Sequence, residues 1–263
     1  MRQRTITALL ALAIFLPFVI FGGLPFTIFV YLMASVGLVE LIRMRKIGGY
    51  IVPYLLAILL LWLILVPSSS TLLTIGWFSK FEMIALIILL LLAYTVLVKN
   101  QFTFDHVGFI LLAAFYVGLG FYYLLETRDG SHALRNILYA FFIIWSTDTG
   151  AYLFGRAFGK RKLWPTISPN KTIEGAVGGI VLACAVAIIF HLVEPFSHSM
   201  LTVVGVTVLA SIFGQVGDLV ESALKRNYGV KDSGKILPGH GGILDRFDSM
   251  LFVIPLLHFI HFV

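Results

Sequence analysis

The chain has 263 residues, of which 59% are hydrophobic and 12% charged, with a mean hydropathy of +0.99 and a net charge of +6. Soluble domains carry about 45–50% apolar residues, so an ordinary water-soluble protein is excluded. A single cysteine, Cys184, also excludes a fold stapled by intrachain disulfides.

A helix needs roughly 20 apolar residues to cross the hydrocarbon core of a bilayer. Taken in chain order, the apolar runs predict nine such helices, at about 5–21, 24–42, 50–66, 80–98, 106–125, 136–155, 173–193, 200–221 and 246–262. They use most of the chain and leave no room for a separate soluble domain. Nothing in the sequence repeats the short alternating segments of a membrane β-barrel. The predicted fold is therefore all-α, a polytopic integral membrane helical bundle forming one domain over 1–263. Its first part, 1–135, is chemically quiet, and its polar residues concentrate in 136–263.

The first run opens Met1-Arg2-Gln3-Arg4, as a signal peptide does. Its A-x-A sequence, Ala11 to Ala13, lies inside the apolar run rather than after it, which predicts an uncleaved first helix. Glu40, at the end of the second run beside Arg43, Arg45 and Lys46, reads as an interfacial ion pair. Segment 67–79 reads as an external loop, with Trp77 and Phe78 near the interface. Cys184, within the seventh run, reads as a packing residue.

Alternating the nine runs across a membrane puts 16 of the 19 basic residues on one side, leaving Lys80, Arg128 and Arg135 on the other. Positive loops stay in the cytoplasm, so the N-terminus is expected inside and the C-terminus outside.

Four constellations carry possible chemistry. Asp148, within Ser146-Thr147-Asp148-Thr149-Gly150, is an ionisable group inside a span, which is costly unless it serves a purpose; the plain alternative is a salt bridge to Arg156. Ser168-Pro169-Asn170-Lys171-Thr172 is predicted to open the seventh helix, and a helix N-terminus suits phosphate, with Lys171 adding charge. Gly175, Gly178 and Gly179 follow as a close-packing face. In the eighth run Asp218, Glu221, Ser222 and Lys225 share one helical face, ending at Lys225-Arg226. Asp218 suits a metal, whereas Glu221 reads as an intrahelical partner of Lys225. The fourth is the loop holding Lys231, Asp232, Lys235 and Pro238-Gly239-His240-Gly241-Gly242, followed by Asp245, Arg246 and Asp248. Its glycines permit close backbone approach to an anion, and the i, i+3 carboxylates Asp245 and Asp248 suit Mg²⁺, a hard cation.

These residues carry a resemblance. Ser222-x-x-Lys225-Arg226, Lys231-Asp232, Pro238-Gly239-His240-Gly241-Gly242 and Asp245-Arg246-x-Asp248 are similar to the signature of the phosphatidate cytidylyltransferase (CDP-diacylglycerol synthase) family. The segments around Asp148 and from Ser168 to Gly175 resemble it too. The resemblance implies that CTP and phosphatidic acid react to give CDP-diacylglycerol and pyrophosphate, with Mg²⁺ and a second metal ion, in a homodimeric integral membrane enzyme. It further implies a catalytic group of Asp218, Asp245, Lys225, Arg226, His240 and Arg246. Substrate would meet Lys171, Asn170, Ser222, Lys231, Asp232, Lys235, Gly241 and Gly242, and metal would meet Asp218, Asp245, Asp148 and Asp248. A CTP-dependent kinase of polyprenols or lipid alcohols, or a related lipid cytidylyltransferase, would share CTP and membrane burial. An anion transporter would instead show broken helices meeting at the midplane, whereas the charges here lie toward one face.

Overall fold

The computed structural model describes residues 13–67 and 78–263. The start of the first expected span, with Arg2 and Arg4, lies outside the described residues, as does most of the expected external loop with Trp77. Residues 13–21 form helix α1, followed by α2 (Gly23–Met44), α3 (Ile51–Leu65), α4 (Lys80–Leu97), α5 (Phe104–Asp129) and α6 (Ala133–Phe158). A two-stranded hairpin, β1 (Lys162–Trp164) and β2 (Ser168–Thr172), leads into α7 (Ile173–Val193) and α8 (Met200–Asn227). A loop then reaches α9 (Leu244–Phe247) and α10 (Met250–Phe259). The all-α membrane bundle read from composition is the fold observed.

Among the described residues, six helices are long and apolar enough to cross a membrane: α2, α4, α5, α6, α7 and α8. The third and ninth expected spans are shorter helices, Ile51–Leu65 and Met250–Phe259. At 1.5 Å per residue, α10 covers only about 15 Å. It does not stand in lipid alone, because Val253, Ile254 and Leu257 are buried between its neighbours.

Local chemistry sets the helix starts. Ser79 and Glu82 form a reciprocal capping box on α4. Thr172 caps α7 by accepting the Gly175 N–H at 3.1 Å, and Ser199 caps α8 by accepting the Thr202 N–H at 3.2 Å. The hairpin is a departure from the expected continuous helix opening. Asn170 and Lys171 lie on β2 rather than at a helix N-terminus, because Thr172 closes the strand and caps the helix at once. Lys162 pairs with Thr172 and Trp164 with Ser168, in antiparallel register with an irregularity between the two pairs.

Glycines bring α6 and α7 close enough to touch by backbone. A Cβ on Gly150 would meet the Gly178 carbonyl oxygen at 2.8 Å, and one on Gly178 would run into the Phe154 ring. Buried hydroxyls tie α6 to α8, with Tyr139 Oη 2.8 Å from Thr207 Oγ1 and Thr147 Oγ1 2.8 Å from Ser211 Oγ. A further close approach, of Gly217 on α8 to the Asp248 backbone and the Phe252 side chain, seats α10 against α8. These contacts bring the C-terminal ends of α2, α6 and α8 together with the start of α7, the hairpin and the 228–243 loop, at one end of the bundle.

Candidate active site

The row of polar residues on α8 is built by helical spacing. Lys225 Nζ lies 2.5 Å from Glu221 Oε2, one turn earlier on the same face. It also lies 2.6 Å from Asp245 Oδ1 on α9. Glu221 is fully buried, and its Oε1 accepts no hydrogen bond from the described residues. The intrahelical pair read from the sequence is therefore present, and it extends to a third group. Higher on α8, Ser222 Oγ donates to Asp218 Oδ1 at 3.2 Å, while Lys171 Nζ on β2 meets Asp218 Oδ2 at 2.6 Å. Lys171 thus reaches the site from a strand.

Asp245 is an organiser of the loop. Its Oδ1 faces Lys225, and its Oδ2 accepts the Ser233 N–H at 2.8 Å, the Ser233 hydroxyl at 2.7 Å and the Gly242 N–H at 2.8 Å. Burial alone would push this carboxyl up, but the Gly242 N–H, the Lys225 ammonium and Ser233 together hold it below the usual carboxylate range. The close backbone approach expected of His240-Gly241-Gly242 is real, and the anion approached in this structure is the protein's own. Gly241 has φ +83° and leaves no room for a Cβ beside Asp245. Gly239, with φ +76°, forms the turn in which His240 N–H donates to Leu237 O at 2.9 Å.

Glu40 corrects the sequence reading. It is 4% exposed and forms none of the described ion pairs, although Arg43, Arg45 and Lys46 follow it closely. It instead accepts the Ile243 N–H at 2.9 Å, the Leu244 N–H at 3.0 Å and the Ser233 hydroxyl at 3.1 Å. Neither Glu40 nor Ser233 was singled out by spacing, since the contacts between them join residues 193 apart. The only sequence signal was a carboxylate at the end of an apolar run.

Asp148 makes no salt bridge to Arg156, which instead donates to Tyr152 Oη at 3.4 Å. It lines a cavity with Asp245, Arg246 and Asp248, within electrostatic reach of Asp218, Lys171 and Arg246. Asp248 accepts the Ser249 N–H at 2.7 Å and in turn feels Asp218, Asp148 and Lys225. Three carboxylates, Asp148, Asp218 and Asp248, therefore repel one another around a space that Lys171 neutralises only in part. Among the described residues no three acidic or histidine groups converge tightly enough to hold a metal by themselves. Mg²⁺ does not require that, because it commonly takes one or two carboxylates together with water and substrate phosphates. The donor set of Asp148, Asp218 and Asp248 fits such an ion: each oxygen of Asp218 meets a single donor, whereas four donors on Asp245 commit it to Lys225 and the loop.

Arg226 turns toward the hairpin, donating to Ile167 O at 3.3 Å and to Val230 O at 3.5 Å. Asn170 is exposed on β2. Lys231, Asp232, Lys235, His240, Gly241 and Arg246 line a polar cavity of about 460 Å³ within the loop. A second cavity, of about 520 Å³, shares Leu237, His240 and Arg246 with it and runs between α1, α2 and α6 past Phe15, Phe29, Met33, Phe141 and Trp145.

A bundle of apolar helices that gathers carboxylates, ammonium groups and a cation-lined cavity at one end defines a membrane-embedded protein built to hold phosphate-bearing ligands beside the bilayer. The chain belongs to the cytidylyltransferase family, whose profile matches residues 2–263. It is 56% identical over 261 residues to the phosphatidate cytidylyltransferase of Bacillus subtilis (strain 168), covering 99% of this chain and 97% of that one. It is 50% identical over 260 residues to the phosphatidate cytidylyltransferase of Staphylococcus haemolyticus (strain JCSC1435), with 98% of each covered. The protein of that name from Staphylococcus aureus (strain COL) is 48% identical over 260 residues, again with 98% of each covered.

Proposed function

We propose that the protein transfers the cytidylyl group of CTP to phosphatidic acid, giving CDP-diacylglycerol and pyrophosphate. The observation that carries this reading is the pair of adjoining cavities with opposite chemistry. The loop cavity, lined by Lys231, Lys235, His240 and Arg246, suits a triphosphate. The second, walled by Phe15, Phe29, Met33, Phe141 and Trp145, suits the upper part of an acyl chain, with Asp148, Arg246 and Asp248 at its polar end. The names of the relatives agree with a nucleotide on one side and a lipid phosphate on the other.

In this reading a phosphate oxygen of phosphatidate attacks the α-phosphorus of CTP. The bond from that phosphorus to the bridging oxygen breaks, and pyrophosphate leaves with the electron pair. The nucleophile is already an anion, so no strong general base is required. The barrier lies in bringing two polyanions into line, which cations fixed in place can lower. Lys231 and Lys235 hold the triphosphate. Arg246 and His240 stand on the wall common to both cavities, where the two reacting phosphates meet; the buried Nδ1 of His240 has no hydrogen-bond partner among the described residues. Lys171 and Lys225 keep the carboxylate row in register. Asp148, Asp218 and Asp248 would hold Mg²⁺, which when bound would supply charge stabilisation for the phosphoryl transfer. We further infer that the site faces the cytoplasm, since that is where positive loops remain and where CTP is made.

Purified protein supplied with labelled CTP, phosphatidate vesicles and Mg²⁺ is expected to yield a lipid-soluble cytidine product and one pyrophosphate per turnover. Release of CDP with a phosphorylated lipid would identify a kinase instead. Folded protein that forms no cytidine lipid would overturn the proposal.

A further inference from the structure

We infer that Glu40 is a positioning residue for the reaction, acting from α2 as the pin that sets the 228–243 loop over the site. A carboxylate buried in a membrane bundle is costly unless donors replace its water. Glu40 is 4% exposed and has three donor groups within hydrogen-bond distance, all from the far end of the chain, of which one is a hydroxyl shared with Asp245. Two of them are consecutive backbone N–H groups, Ile243 and Leu244, where the loop enters α9. The third is Ser233, which is buried and lies within reach of Asp245 as well. A hydroxyl carries one proton and donates to one acceptor at a time, so Ser233 ties the two carboxylates into a single arrangement rather than serving each separately.

The loop is shaped to this carboxylate. A Cβ built on Gly234 or on Gly242 would collide with the Glu40 side chain, so two of the loop's glycines are matched to Glu40 rather than to an external anion. The chain of contacts runs Glu40, Ser233, Asp245, Lys225, Glu221, and so joins α2, the loop, α9 and α8. Lys231, Lys235 and His240 all lie on the stretch of loop that this network fixes, and all line the polar cavity. Releasing the pin leaves the side chains in place on the chain and moves them relative to Asp148 and Asp218. A displacement of about 1 Å at reacting groups can cost 10²-fold in rate.

The inference rests on the proposed transfer for its kinetic readout, and a structural readout keeps the two separable. Detergent-purified Glu40→Gln is compared with the unaltered protein by hydrogen exchange without ligands. Gln keeps the volume but turns an NH₂ toward one of the two N–H donors. Amides of 231–244 are expected to exchange roughly tenfold or more faster, the scale set by leaving a buried donor unpaired, with α5 to α8 protected as before. In steady state, KM for CTP should rise and kcat should fall, while KM for phosphatidate changes less. Gly242→Ala and Ser233→Ala leave α2 intact and should give the same local exchange pattern. Combining Ser233→Ala with Glu40→Gln should add little to either alone. Unchanged exchange in 231–244 for all three variants overturns the pin, as does a loss of protection spread evenly over the whole bundle. An unaltered protein that makes no cytidine lipid overturns the proposed function instead, and leaves the exchange result standing on its own.

Discussion

Lys225 is the residue on which the site's internal charge balance turns. Its ammonium serves Glu221, fully buried, and Asp245 together. Removing one partner from a buried ion pair costs about 3–5 kcal/mol, because the remaining charge is left uncompensated. Lys225→Met is therefore expected to lower the thermal midpoint in detergent and to abolish transfer. Adding Glu221→Gln removes the orphaned charge and should recover much of the midpoint without recovering activity, since Asp245 still lacks its cation. Recovery of both would mean that Lys225 serves stability alone. Some of these residues were legible in the sequence because a charge in an apolar run is expensive and draws notice; Asp148 and Asp218 were found that way, Lys225 by its place on a helical face and Asp245 by its spacing to Asp248. Glu40 was noticed by the same rule and misassigned. Its neighbours in sequence are cations, whereas its partners in space are uncharged groups some 200 residues on. Sequence spacing reveals helical faces and is blind to such pairings.

The elements were legible where hydropathy decides and illegible where loop chemistry does. The expected spans from 24–42 through 200–221 each coincide with a helix of the bundle. The last run looked like a full span, yet the helix is interrupted at Asp248-Ser249, where the Ser249 N–H turns to the Asp248 carboxylate. The hairpin of 162–172 escaped notice because its strands are 3 and 5 residues long and contain or flank prolines, which argue against strands. That hairpin nonetheless carries Lys171 to Asp218. Its placement depends on how closely α7 lies against α6, and this makes the glycine interface testable. Gly178→Ala would drive a methyl into Phe154, and overpacking of this sort costs about 1–3 kcal/mol. The expected result is a lower thermal midpoint together with a fall in turnover, as α7 and Lys171 shift away from Asp148. Gly205, on α8 with open space around the position of a Cβ, provides the contrast: Gly205→Ala should leave both nearly unchanged. Equal effects at the two glycines would show that the interface does not govern the site.

At the scale of the whole molecule, the apolar surface and the charges divide the protein along one axis. Leu89, Val96 and Leu97 on α4, and Val177, Val181 and Ile189 on α7, are well exposed, as helices in contact with lipid would be. The site lies at the end of the bundle where α2, α6 and α8 finish, and there the basic residues collect. The three cations expected on the other side show why they need not be counted against this polarity. Lys80 donates to the Ile64 and Val66 carbonyls, Arg128 to those of Val19 and Ile20, and Arg135 to that of Pro195, so each is occupied with a helix-end or loop carbonyl. The remaining excess supports the proposed cytoplasmic placement of the site, and one cysteine in the chain makes this measurable. In a Cys184→Ala background, Lys235→Cys lies in the exposed loop and Ser131→Cys in the turn between α5 and α6 at the opposite end. A membrane-impermeant maleimide applied to sealed right-side-out vesicles should label Ser131→Cys and spare Lys235→Cys, and inverted vesicles should reverse the pattern. Labelling of Lys235→Cys from outside would put the polar cavity on the wrong side of the membrane for CTP.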